Sequence, residues 1–248
     1  MSDVVLLPGF PLTPRVWAAQ REALAAAGHR VLVPDLRGVG DGVQPSLDVV
    51  ADDVVRRLDA EGLDRVALGG LSMGGYVAMA ILRRHPDRIA SLALVDTKAS
   101  ADAAAARDNR ERIARTVLAE RSVRVLIDDV LPTLLGATTV AERPAVVAAA
   151  RAMAEAWQPE SVAWSQRAMA ARPDSTAVLR SAHVPALVVV GEEDQLSPVD
   201  DARRMVDALP RARLVAVPRA GHLSPLEAPA EVTAALVEFL VGAAAGRL

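Results

Sequence analysis

The chain has 248 residues, 52% of them hydrophobic, and a formal net charge of −3 with no basic patch. That length and apolar content suit one large α/β domain, or one domain with an insertion, and the mild acidity argues against nucleic acid as a partner. Cysteine is absent, which excludes disulfides, thiolate catalysis and cysteine metal sites.

Residues 1–8 carry no charged leader, and no apolar stretch reaches membrane-spanning length. The expectation is a cytoplasmic protein with no membrane partner. Short apolar runs of strand type lie at 4–7, 31–33, 66–68, 89–95, 186–190 and 213–217. Helical patterns fall between them, at 17–26, 47–61, 73–84 and 199–209, and one more closes the chain at 228–241. Runs that are apolar throughout, alternating with helices, predict a parallel sheet covered on both faces. The last residues, 243–248, read as a frayed end. From 98 to 182 no strand pattern appears. Val123, Leu126, Ile127, Val130, Leu131 and Leu134 recur at helical spacing there, and Gly136, Pro144, Pro159 and Pro173 cut the stretch into several helices. The simplest organisation is a core of 1–97 and 183–248 with a helical cap of 98–182. A helical subdomain elsewhere on the surface is the alternative. Lys98 is the only lysine, and with the abundant alanine the arginine-rich remainder reads as compositional bias.

The most informative run is Val66-Ala67-Leu68-Gly69-Gly70-Leu71-Ser72-Met73-Gly74-Gly75. A strand pattern enters Gly70-Leu71-Ser72-Met73-Gly74, and an alanine-rich helical pattern leaves it. In that context G-x-S-x-G lifts a serine Oγ to the top of a sheet as a nucleophile. The serine needs a strained backbone, and the residues two before and two after it come too close for side chains. The helix starting near Met73 aims free N–H groups at the same spot. The bland alternative is a glycine-rich turn with a surface serine.

A serine nucleophile needs a base and an orienting acid, in the order serine, acid, histidine. Glu192-Glu193-Asp194 follows one strand pattern and Pro218-Arg219-Ala220-Gly221-His222 follows another. Both lie past the C-terminal ends of strands, where open α/β sheets build their sites. His29, His85 and His183 lie beside helix ends or before strands and read as structural. Glu192, Glu193 and Asp194 all remain candidates for the acid, with Asp96, at another strand end, in reserve. Asp200 and Asp201 belong to the first turn of the next helix.

With these residues together, the chain resembles the α/β-hydrolase superfamily, in particular its small capped serine hydrolases. The likeness spans nearly the whole chain. It rests on Leu7-Pro8-Gly9-Phe10, Pro34-Asp35-Leu36-Arg37-Gly38-Val39-Gly40, the Ser72 elbow, Gly191-Glu192-Glu193-Asp194 and Ala220-Gly221-His222. The resemblance implies Ser72 as nucleophile, Asp194 as acid, His222 as base, and the backbone N–H groups of Phe10 and Met73 as the oxyanion hole. It also implies a sheet of about six parallel strands, without the family's opening antiparallel strands. Pro8-Gly9 stands where the family often has His-Gly, and Gly42 where its arginine–glycine loop often has serine.

The activity implied is that of a serine hydrolase without cofactor or metal. It would cleave a small-molecule ester or lactone through an acyl-enzyme, with a working histidine ionisation near about 6 to 7. The same triad supports enol-lactone, carbon–carbon bond, peptide and thioester hydrolysis and perhydrolysis. A serine in place of aspartate argues against dehalogenation of haloalkanes. Two other classes stay open: an acyltransferase, and a non-catalytic ligand receptor on the same scaffold. Trp157 and Trp164 are bulky residues of the insertion that could wall an acyl or alcohol pocket, or simply pack the cap. Phe10 could serve as pocket wall as well as oxyanion donor. Tyr76, Met153 and Met169 read as packing. Asp35 and Arg37 lack a dinucleotide-site layout and read as a structural loop held by a buried ion pair or hydrogen bonds.

Overall fold

The computed structural model describes residues 2–38 and 42–246. Val39, Gly40 and Asp41 of the arginine–glycine loop, and the terminal Arg247 and Leu248, lie outside the described residues. Six strands form one sheet: β1 (Asp3–Leu7), β2 (Arg30–Leu32), β3 (Val66–Leu71), β4 (Ile89–Val95), β5 (Ala186–Gly191) and β6 (Ala212–Val217). Their order is β2-β1-β3-β4-β5-β6, and every neighbouring pair is parallel. The expected six-stranded parallel sheet is present. β2 starts one residue early, and β3 continues through Leu71 to the residue before Ser72.

Side chains alternate across a sheet, so a strand apolar throughout must be covered on both sides. Val5, Leu7, Leu68, Leu92, Leu94, Val188 and Val190 pack into one core. Val4, Leu6, Ala67, Leu71, Ala93, Val95, Leu187 and Val189 pack into the other. Helices α2 (Leu47–Ala60) and α3 (Met73–Arg84) cover the first face. Helix α1 (Ala18–Ala26) covers the second, with the C-terminal helix. Residues Pro14–Trp17 form a separate 3₁₀ turn, so α1 begins one residue later than the periodicity predicts. Helix α2 shows the local logic. Ser46 Oγ accepts the Asp48 N–H at 3.2 Å and caps its start. Leu47, Val50, Ala51, Val54, Val55 and Leu58 make one buried stripe.

Between β4 and β5 the chain is helical: α4 (Ala104–Glu120), a π-helical turn (Leu126–Val130), α5 (Leu131–Leu134), α6 (Ala137–Glu142), α7 (Pro144–Glu155), α8 (Pro159–Ala170) and α9 (Thr176–Arg180). Pro144 and Pro159 each take the first position of a helix, where a missing N–H costs nothing. The chain ends through α10 (Val199–Ala208), α11 (Ser224–Glu227) and α12 (Pro229–Ala244). Among the described residues no helix is long and apolar enough to cross a membrane.

The strand order reverses at β1, whose neighbours are β2 on one side and β3 on the other. A crevice opens at such a switch point, beyond the C-terminal strand ends. Phe10 leaves β1 there and Ser72 leaves β3 there.

Candidate active site

Ser72 sits between β3 and α3 with φ 51° and ψ −113°, a region that a residue with a Cβ rarely adopts. A Cβ on Gly74 would lie 2.3 Å from the Leu7 carbonyl oxygen, and one on Gly70 would lie 2.3 Å from that of Gly74. Both glycines are therefore demanded by close backbone approach, as the spacing predicts. The elbow is tied to β4, where the Ser72 N–H donates to the Val95 carbonyl at 2.9 Å and Thr97 Oγ1 donates to the Ser72 carbonyl at 2.9 Å. Among the described residues, neither the Met73 nor the Phe10 N–H has a protein acceptor. Met73 is the first residue of α3, where the helix leaves its N–H groups unpaired.

Ser72, His222 and Asp194 meet although 150 and 28 residues separate the pairs. Ser72 Oγ lies 2.7 Å from His222 Nε2, and His222 Nδ1 lies 2.7 Å from Asp194 Oδ2. The second carboxylate oxygen of Asp194 accepts the Leu196 and Ser197 N–H groups at 2.8 and 2.9 Å. All three side chains are buried. Burial disfavours the imidazolium of His222, but the Asp194 carboxylate outweighs it, helped by Asp96 and Glu227. The pKa is held above its ordinary value of 6.5.

The competing acids have other partners. Glu193 accepts the Thr138 N–H at 2.8 Å and the hydroxyl of the same residue, and Glu192 is exposed. Asp200 and Asp201 pair with Arg203 and Arg204 along α10. Asp96 is fully buried, and its two oxygens accept the Gly191 and Ser224 N–H groups at 2.9 Å each. Burial and the neighbouring Asp194 push its pKa up to about 7. It therefore fastens the loop of Asp194 to that of His222 and makes no hydrogen bond to the imidazole. Glu227, also buried, accepts the Gly136 N–H at 2.8 Å and the Leu223 N–H at 3.0 Å. The His222 N–H donates to the Leu134 carbonyl at 2.9 Å. Residues 134–138 of the insertion are thus bonded to both loops.

Ser72 opens into a cavity of about 180 Å³, lined by Phe10 and Tyr76 of the core and by residues of α4 and α8. Residues of the helical insertion make up much of its lining. Neither expected tryptophan lines it, which corrects the pocket reading. Trp157 is buried, donates Nε1–H to the Leu12 carbonyl at 3.1 Å and packs edge-on against Phe10, with ring centroids 4.9 Å apart. Trp164 is half-buried and donates to the Val43 carbonyl at 2.9 Å. Both rings pin the insertion to core loops through their N–H groups. Trp157→Ala should therefore cost about 3–5 kcal/mol of stability, read by denaturant unfolding. Undiminished stability with an altered acyl-length preference would return it to the pocket.

The lining residues missed by sequence reasoning are chiefly polar. Asp102 lies between Arg110 and Arg172, and Arg110 also donates to Gln166. Burial pushes the Asp102 carboxyl up, but the two guanidiniums outweigh it and hold the pKa below the ordinary value. The Arg172 guanidinium lies 3.9 Å from the Tyr76 ring centre. Tyr76, four residues after Ser72 on α3, was findable, because positions four apart share a helix face. Both methionines pack into the core, and Met169 also lines the cavity. Asp35 and Arg37 form a half-exposed ion pair at 2.6 Å, and the loop is held by hydrogen bonds as well: the Arg37 N–H donates to Asp35 at 3.0 Å and its guanidinium to the Ala156 carbonyl at 2.8 Å. Among the described residues no group of His, Asp and Glu could hold a metal.

A family model described as "Alpha/beta hydrolase family" matches residues 4–236. The chain belongs to that family. A thermophilic esterase from Thermogutta terrifontis, solved with malate bound, is 40% identical, with a TM-score of 0.92 over 98% of this chain and 90% of its own. The enol-lactonase from Burkholderia xenovorans LB400 is 30% identical, with a TM-score of 0.86 over 97% of this chain and 92% of its own. The pimeloyl-(acyl-carrier protein) methyl ester esterase of Aromatoleum aromaticum is 32% identical over 96% of this chain and 98% of that protein. These hydrolase-family relatives extend over the sheet and the insertion alike.

Proposed function

We propose that the protein is a serine hydrolase cleaving a small carboxylic ester or lactone through an acyl-enzyme. The observation that carries this reading is the Ser72–His222–Asp194 chain, both links 2.7 Å, mounted on a strained elbow. Ser72 Oγ attacks the carbonyl carbon while His222 Nε2 takes its proton. The N–H groups of Phe10 and Met73 hold the resulting oxyanion. The leaving alcohol takes the proton from His222, and Ser72 keeps the acyl group. Water then attacks, giving a proton to His222. The acid departs and the proton returns to Ser72. Asp194 holds the imidazole with its proton on Nδ1 and stabilises the imidazolium. The cap, residues 98–182 in this reading, sets which acyl groups fit.

The test is a screen of short p-nitrophenyl esters and lactones with Ser72→Ala as blank. Turnover that survives in the blank would defeat the reading. Competing alcohol acceptors in the same assay separate a hydrolase from an acyltransferase. A receptor would be labelled without turnover.

The pH dependence follows from the site. His222 must be neutral to accept a proton, and its pKa is raised. The acidic limb of kcat/KM should therefore fall above the 6.5 of an unperturbed histidine. A pH–rate profile with its limb at or below the ordinary value would contradict the Asp194–His222 coupling.

A further inference from the structure

Lys98 is the only lysine in the chain, and it lines the cavity that holds Ser72. Its place is set by the sheet. Leu71 pairs with Val95 across β3 and β4, so the chain leaves both strands level, and Lys98 comes two residues after Asp96. Thr97, the residue between, is the one that bonds the Ser72 carbonyl. The Lys98 backbone is thereby pinned beside the nucleophile. Its side chain is half-buried and has no acid partner among the described residues.

The remaining charges on the wall do not cancel this ammonium. Asp102 pairs with Arg110 at 2.5 Å, and Arg172, which also bonds Asp102 at 2.9 Å, lies behind the wall and does not line the cavity. Asp129 lies 3.3 Å from Arg112, so that pair is neutral. The cavity is thus positive inside a chain whose net charge is −3. A cation partly stripped of water and lacking a counter-charge gains most from an anion that arrives with the ligand.

We infer that Lys98, the one lining cation without an acid partner among the described residues, forms an anion subsite, and that the favoured substrate is an ester or lactone carrying a second, ionised carboxylate. This rests on the hydrolase reading of Ser72 and narrows its substrate class.

The experiment compares monomethyl adipate with methyl hexanoate, a pair alike in length and differing in the distal carboxylate, followed by pH-stat. The charged ester should have the lower KM by about tenfold, the range of one charged hydrogen bond. Lys98→Met should raise its KM by about tenfold and that of the neutral ester far less, and Lys98→Arg should recover most of the loss. A second arm needs no turnover. With Ser72→Ala protein, an amine-reactive reagent can modify only Lys98 and the α-amino group. Adipate should slow modification of Lys98, read by peptide mass, while sodium chloride of equal ionic strength should not. Equal KM changes for both esters, or labelling indifferent to adipate, overturns the subsite. If neither ester is cleaved, the hydrolase reading fails, and the labelling arm still decides whether Lys98 binds carboxylate.

Discussion

Ser72→Ala should abolish labelling by a fluorophosphonate probe and lower kcat by roughly four to six orders of magnitude, with the fold intact. The size of the effect comes from what is removed. Without Oγ there is no acyl-enzyme, and His222 Nε2 loses its partner at 2.7 Å. What remains is the pair of backbone donors and the binding cavity, worth roughly a thousandfold over water. The fold should survive because the change deletes one atom, and the backbone bonds that hold the elbow involve only the Ser72 N–H and carbonyl. Active-site titration with the probe, beside thermal melts of both proteins, checks this. Labelling that persists at another residue would remove Ser72 from the chemistry.

Asp194→Asn should cost about four orders of magnitude in kcat with little change in melting temperature. The reason is a tautomer. The Leu196 and Ser197 N–H groups both point at Asp194 Oδ1. An asparagine would keep its carbonyl oxygen on those donors and turn its NH2 towards His222 Nδ1. The imidazole would then carry its proton on Nε2, facing Ser72, where it cannot accept another. Asp96 could not take over, because both its oxygens are already committed to Gly191 and Ser224. Steady-state kinetics measures the loss. Activity equal to the parent would mean that another carboxylate orients His222.

These residues were legible in the sequence because each is marked by a local pattern. The elbow needs glycine at 70 and 74 for steric reasons, the acid follows the fully apolar β5, and the histidine follows β6, whose last four residues are apolar. The parallel sheet was legible for the same reason, since strands buried on both faces leave no polar alternation. Choosing Asp194 over its neighbours took the family likeness as well, because three acids share that loop. The insertion was legible as helical but not in its orientation. Helical spacing gives a stripe without saying what the stripe faces, so the scarcity of aromatic residues pointed Trp157 and Trp164 at the site. In the structure they anchor core loops, and the polar Arg110 and Gln166 reach the cavity instead. Lys98 read as a leftover of compositional bias, because nothing in a one-dimensional pattern places it beside Ser72.

Residues 134–138 hold the Leu134 carbonyl against the His222 N–H and pass the Gly136 and Thr138 N–H groups to Glu227 and Glu193. This segment of the insertion and the His222 loop are therefore one mechanical part. Moving this segment would pull on the backbone of His222, so if His222 is the base, as proposed, the segment should stay in place while substrate and product pass. A foreign segment grafted in its place would have to offer one carbonyl to the His222 N–H and two N–H groups to Glu227 and Glu193. An exchange of this segment between such proteins therefore has to preserve those three bonds as well as the shape of the pocket.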